Sequence, residues 1–168
     1  MPPRSTAARR AAPPTAGPLE SADLGVLRDV LGFRLRRIQN HLSKSFAERL
    51  AGRDIKAGEF SALALIAANP GISQTQLANE GGFDKAALVM LIDDLERSGW
   101  ALRKRSTADR RRHALEITPA GEEVLAELFE IGKANEAPIT DALDPVELRN
   151  LYTTLDRIYR LCFSDDPG

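Results

Sequence analysis

Between Arg97 and His113 the chain places seven basic side chains, Arg97, Arg103, Lys104, Arg105, Arg110, Arg111 and Arg112, against a single acid, Asp109. The net charge of the 168-residue chain is −1, so this +6 segment is a local feature; residues 1–96 stand at +1 and residues 114–168 at −8. Cations gathered on one surface of a near-neutral protein suit a polyanion, because neutralising phosphates and releasing their counterions supplies much of nucleic-acid affinity. A second cationic set, Arg34, Arg37, His41 and Lys44, recurs at steps of 3, 4 and 3 with Arg36 close by. That spacing lines the groups along one side of a helix. Guanidinium forks there suit a carboxylate or a phosphate, and the plain alternative is a solvated helix face.

Other chemistries find little support. The two histidines, His41 and His113, lie in separate segments, and there is no HExxH, GxSxG or phosphate-loop string. An enzyme is therefore not expected, nor any cofactor or metal. One cysteine, Cys162, excludes an internal disulfide and a multi-cysteine metal site, which fits a cytoplasmic protein. Its place in an apolar helical pattern predicts a buried, structural thiol. Charges interrupt every apolar run before the roughly 18 residues of a membrane span, so a soluble protein with no membrane partner is expected. Residues 1–20, with Pro2, Pro3, Pro13, Pro14 and Pro18 and almost no large apolar side chain, read as a disordered tail.

The cationic segment needs elements to carry it. Leu24, Leu27, Leu31, Leu35, Ile38, Leu42, Phe46 and Leu50 make one apolar stripe, predicting a single long helix closed by Gly52. A second helix is expected from about Gly58 to Ala68, with Phe60, Leu63 and Ile66 inward, stopped by Asn69-Pro70-Gly71. Ser73 and Gln76 have capping-box spacing for a short helix from Gln74 to about Asn79, and Gly81-Gly82 breaks it. Asp84 caps the next helix, which buries Leu88, Leu91, Ile92 and Leu95 and ends at Gly99. Trp100 and Leu102 alternate with smaller or polar residues, a charged turn follows, and Leu115 and Ile117 alternate again, as two strands of a hairpin would. Thr118-Pro119 opens a helix that should end before Pro138, and Asp144-Pro145-Val146-Glu147 opens a last one with Leu148, Leu151, Leu155, Ile158 and Leu161 on one face.

Two short helices around a glycine turn, followed by a cationic hairpin, predict a winged helix-turn-helix: mainly α with a small β-hairpin wing. The first and last helices are too apolar on one stripe to stand alone, so they are expected to pair with those of a second copy as dimerisation helices, in a homodimer reading a palindromic operator. This divides the chain into a helical dimerisation region, 21–55 with 119–168, and a DNA-binding domain, 56–118.

Leu95-Glu96-Arg97-Ser98-Gly99-Trp100, Arg103, Asp109-Arg110-Arg111 and Ile117-Thr118-Pro119-Ala120-Gly121 together resemble the MarR family of bacterial transcription regulators, over roughly Leu24 to Phe163. The resemblance implies a dimeric repressor of double-stranded DNA, released by a small, often aromatic or anionic effector. It also implies that Asp109 holds the wing through an ion pair and that Arg111 inserts into a minor groove, flanked by Arg110 and Arg112. Arg103 has two readings, a phosphate contact or a partner for Asp109. The helix from Lys85 departs from the family pattern: Ala86, Ala87, Val89 and Met90 make no bidentate base contacts, leaving thymine methyls, Lys85 or DNA shape to discriminate. Asp93 and Asp94 are expected to angle away from DNA. Ser73, Gln74 and Gln76 open the preceding helix, whose N-terminus favours phosphate. The Arg34, Arg36, Arg37, His41 and Lys44 strip is the candidate effector anchor, suited to an aromatic acid or an aromatic acyl-coenzyme A thioester. The rival reading is a winged-helix interaction protein that does not read DNA sequence.

Overall fold

The computed structural model describes residues 23–105 and 113–163, in two units divided after Arg37. The tail assigned to residues 1–20 lies outside the described residues. In the first unit a 3-10 helix, Gly25–Asp29, precedes helix α1, Leu31–Arg49, which runs on into the second unit. The expected single long helix is thus broken at Val30, which is extended (φ −93°, ψ 105°). The 3-10 segment buries no side chain, and a stripe with no surface to pack on does not by itself hold α-geometry.

The second unit adds α2 (Ala57–Ala68), β1 (Ile72–Ser73), α3 (Gln74–Gly81), α4 (Lys85–Arg97), β2 (Ala101–Arg105), β3 (His113–Ile117), α5 (Pro119–Thr140) and α6 (Pro145–Phe163). The caps are those the sequence announces. Ser73 Oγ accepts from the Gln76 amide at 3.2 Å while Gln76 reaches back to the Ser73 amide; Asp84 accepts from Ala86 and Ala87, each at 3.0 Å. Asp144 accepts from Val146 and Glu147 at 2.7 and 2.9 Å. Such caps satisfy amides that a helix start leaves orphaned.

Three details add to the expectation or depart from it. The hairpin is part of a three-stranded antiparallel sheet, β1-β3-β2, in which Ile72 lies opposite Leu115. A two-residue strand carries no periodicity to read. The buried face of β2 is that of Ala101, while Trp100 and Leu102 are only half-buried. Helix α5 runs through Pro138 to Thr140, because a proline two residues from the end removes a single ladder bond, and the Asp141 amide still reaches Ala137 at 2.8 Å.

The core sits where α2, α3, α4 and the sheet meet. Leu63, Ile66, Leu77, Leu88, Ile92, Leu95 and Leu115 are fully buried there, and α5 adds Leu128 against α2. Gly121 explains the spacing of Thr118 to Gly121. A Cβ at 121 would run into the Trp100 carbonyl oxygen and lie 2.8 Å from Ile117 Cγ1, so only glycine lets α5 start against the sheet. Helix α6 buries no residue, and Cys162, expected inside, is exposed on it. No helix among the described residues is long and apolar enough to cross a membrane.

Candidate nucleic-acid interface

Helix α4 follows α3 across the Gly82 turn, whose φ of +63° is the left-handed conformation that closes a helix end. Its first two turns bury Leu88 and leave Lys85, Ala86, Ala87, Val89 and Met90 exposed; Val89 is 46% and Met90 66% accessible. Large apolar side chains held this far out on a capped, well-packed helix are available to thymine methyl groups. Gln74, Thr75, Lys85, Val89 and two core residues line a hollow of about 200 Å³ between α3 and α4. Ser73 and Gln76 are occupied with each other in the capping box.

The acids of α4 are all engaged. Asp94 accepts from Arg97 at 2.6 Å and from Lys56, the N-cap residue of α2. These hydrogen bonds, Lys56 first and Arg97 second, hold the Asp94 carboxyl below its ordinary range, and the Asp94 contact raises the Lys56 ammonium above its own. Glu59 completes the start of α2: its carboxylate accepts from the Lys56 amide at 2.8 Å and is 3% exposed, and burial pushes it upward against that hydrogen bond.

Arg103 is joined to Asp93 at 2.7 Å through Nη2 and to Glu96 through Nη1. With the Gln74 amide turned so that its oxygen faces the guanidinium, that oxygen accepts from Nε at 2.8 Å and from Nη2 at 3.1 Å. The Glu96 carboxylate also accepts from the Arg103 backbone amide at 2.8 Å. Lys104 points outward and pairs with Glu116 on β3. Asp109, Arg110, Arg111 and Arg112 lie outside the described residues.

All five cations of the proposed effector strip are on α1 and exposed. In the first unit Arg34 Nε donates to the Arg28 carbonyl at 2.7 Å, and Arg36 lies 5.5 Å from the Phe33 ring centroid. In the second, Lys44 stands 3.9 Å from Glu48. The second unit also holds a cleft of about 220 Å³ between the C-terminal half of α1, α2 and α5, lined by Phe46, Phe60, Ser43, Ser61, Asn135 and Glu136 among others. Asn135 is buried and partnered at both amide atoms, donating to the Leu42 carbonyl at 3.1 Å and accepting from Arg49 at 3.2 Å. This cleft was not expected from sequence; its one trace there is a polar Asn135 one turn after Ile131 on the face of Leu128. Among the described residues no group of three His, Cys, Asp or Glu side chains is placed to hold a metal.

A recognition-type helix, the helix before it and a small antiparallel sheet define a winged helix-turn-helix. The family model described as MarR family matches residues 53–112. Over 137 residues the chain is 33% identical to a putative transcriptional regulatory protein for the hcr operon of Thauera aromatica, covering 81% of this chain and 82% of that protein. The transcriptional repressor CouR, solved bound to a 23-mer DNA duplex, superposes with a TM-score of 0.72 at 32% identity, covering 84% of this chain and all of that one. CouR from Rhodococcus jostii RHA1 bound to p-coumaroyl-CoA gives a TM-score of 0.72 at 20% identity, covering 86% and 99%. The chain belongs to the MarR family, and it is a transcriptional regulator.

Proposed function

We propose that the protein is a homodimeric repressor that holds a palindromic operator and is released by a small anionic or aromatic effector. The observation that carries the reading is the outward face of α4, where Lys85, Ala86, Ala87, Val89 and Met90 are exposed on a helix that buries Leu88, Ile92 and Leu95 in the core. Residues 56–118 form the DNA-binding domain, with Lys85, Ala86, Ala87, Val89 and Met90 toward the bases and Arg110, Arg111 and Arg112 as the wing's contacts, steadied by Asp109. Ser73, Gln74 and Gln76 stand at the phosphate-facing start of α3, with Ser73 and Gln76 sharing that role with capping. Residues 21–55 and 119–168 supply the dimerisation helices, supported by the apolar face that α6 leaves uncovered.

The effector is an aromatic acid or an aromatic acyl-coenzyme A thioester anchored by Arg34, Arg36, Arg37, His41 and Lys44. Exposed guanidinium groups support the anionic part, and the ligand of the CouR neighbour motivates the thioester. The test is a titration of the purified protein onto DNA upstream of its own gene, with salt varied, with and without aromatic acids and acyl-coenzyme A thioesters. A preference over scrambled duplex with a steep salt slope, lost on adding one of these ligands, is expected. Equal affinity for scrambled DNA would favour an interaction protein, and an isotherm that no ligand moves would remove the effector assignment for that panel.

A further inference from the structure

Arg103 sits on β2, the outer strand of the sheet, yet its side chain is only 19% exposed. A guanidinium offers five N–H donors in a fixed plane. Here they face Asp93 and Glu96 on α4 and Gln74 on α3, so the fork is filled from inside the domain on three sides. Glu96 spans the junction a second time by accepting from the Arg103 amide, a donor on the free edge of β2 that would otherwise need water. The Trp100 amide adds a backbone bond to Leu95 at 2.9 Å at the base of the same strand.

We infer that Arg103 is a positioning residue: it sets the angle of the wing to the recognition helix and neutralises that helix's acids, and it acts on DNA through that geometry instead of touching phosphate. Two carboxylates near a bound duplex would repel it; paired with Arg103 they are masked, and their charge is turned into a strap between α4 and β2. A lysine at 103 would answer one acceptor at a time and lose the plane.

Two measurements on the full chain decide this. The first is free of DNA: amide hydrogen exchange of residues 101–105 and 113–117 in wild type, Arg103→Gln, and the charge-reversed pair Arg103→Glu with Glu96→Arg. The single variant is expected to exchange about tenfold faster in both strands, the order of a coupled ion pair, and the reversed pair to recover much of the protection. Unchanged exchange in the single variant, or no recovery in the pair, overturns the strap. The second measurement rests on the DNA-binding reading and follows affinity for the upstream DNA against salt. Arg103→Gln should weaken binding about tenfold with an unchanged logarithmic slope, and the reversed pair, of unaltered net charge, should restore it. Arg111→Ala is the comparator expected to flatten the slope. A slope that falls by about 0.9 per lost contact in Arg103→Gln makes Arg103 a phosphate contact and overturns the inference. A wild type without preference for the upstream DNA overturns the DNA-binding reading and the claim on affinity, while the exchange arm still decides the strap.

Discussion

Helices α4 and α6 are built alike and end up differently. Each opens with an aspartate that caps two amides, Asp84 for α4 and Asp144 for α6, and each carries apolar residues at steps of three and four. Helix α4 buries Leu88, Ile92 and Leu95; α6 buries nothing and exposes Leu151, Tyr152, Leu155, Tyr159, Leu161 and Phe163. An apolar stripe says that a face is to be covered, and leaves open by what. For α4 the cover is α2, α3 and the sheet of the same chain. For α6 the described residues leave Leu148 and Ile158 only half-buried and bury no residue fully, an uncovered face that supports the proposed dimer contact.

The strongest way to break that contrast is one substitution made in both helices. Leu95→Asp buries an unpaired carboxylate in the core and is expected to abolish cooperative unfolding. Leu155→Asp should leave most helical circular dichroism in place, turn a dimer into a monomer in sedimentation, and cut operator affinity by about a hundredfold. A Leu155→Asp protein that sediments as wild type would remove α6 from the mating surface.

A smaller effect sharpens the comparison. Asp84→Ala is expected to cost about 1 kcal/mol of unfolding free energy, the usual worth of an N-cap. Asp144→Ala should cost a similar amount, felt mainly in the associated state and therefore dependent on protein concentration. Urea melts at two concentrations separate the cases; identical behaviour of the two variants would mean that α6 is stabilised within its own chain.

The smallest effect concerns pH. Asp94 titrates below its ordinary 3.8 in the fold, so its contribution is present above that value and lost as pH falls through the lowered one. Lys56 titrates above its ordinary 10.5, so its contribution is present below that value and lost as pH rises through the raised one. Asp94→Asn should therefore lower stability modestly across the range between, and the difference from wild type should close at both extremes. Glu59 works the other way: its raised titration means that stability is given up as pH climbs from 4.5 through the higher folded value. Denaturation at a series of pH values checks all three signs, and a difference constant at every pH would exclude the Lys56–Asp94 pair as its source.

Much of the fold was legible because its signals are local. Ser73, Asp84, Thr118 and Asp144 announce helix starts through contacts two or three residues away, and Gly82 closes α3 by a backbone angle few other residues take. What stayed hidden depends on neighbours distant in the chain. Strand β1 exists because β3 lies beside it; Gly121 is required by a carbonyl of Trp100; the cleft beside Asn135 needs α1, α2 and α5 together. Cys162 was misplaced for the same reason, since an apolar pattern on α6 does not carry its partner with it.

By itself the sequence settled where the capped helices α3 to α6 begin, which of their faces are apolar, and that the cations gather between Arg97 and His113. These follow from periodicity, capping chemistry and charge, each readable within a few residues. Only the tertiary structure decided which groups one of those cations meets. Gln74, Asp93, Glu96 and Arg103 stand on three elements, and they meet because α3 and β2 both pack against α4. A guanidinium takes the acceptors that packing brings within about 3 Å, and no local propensity encodes that distance.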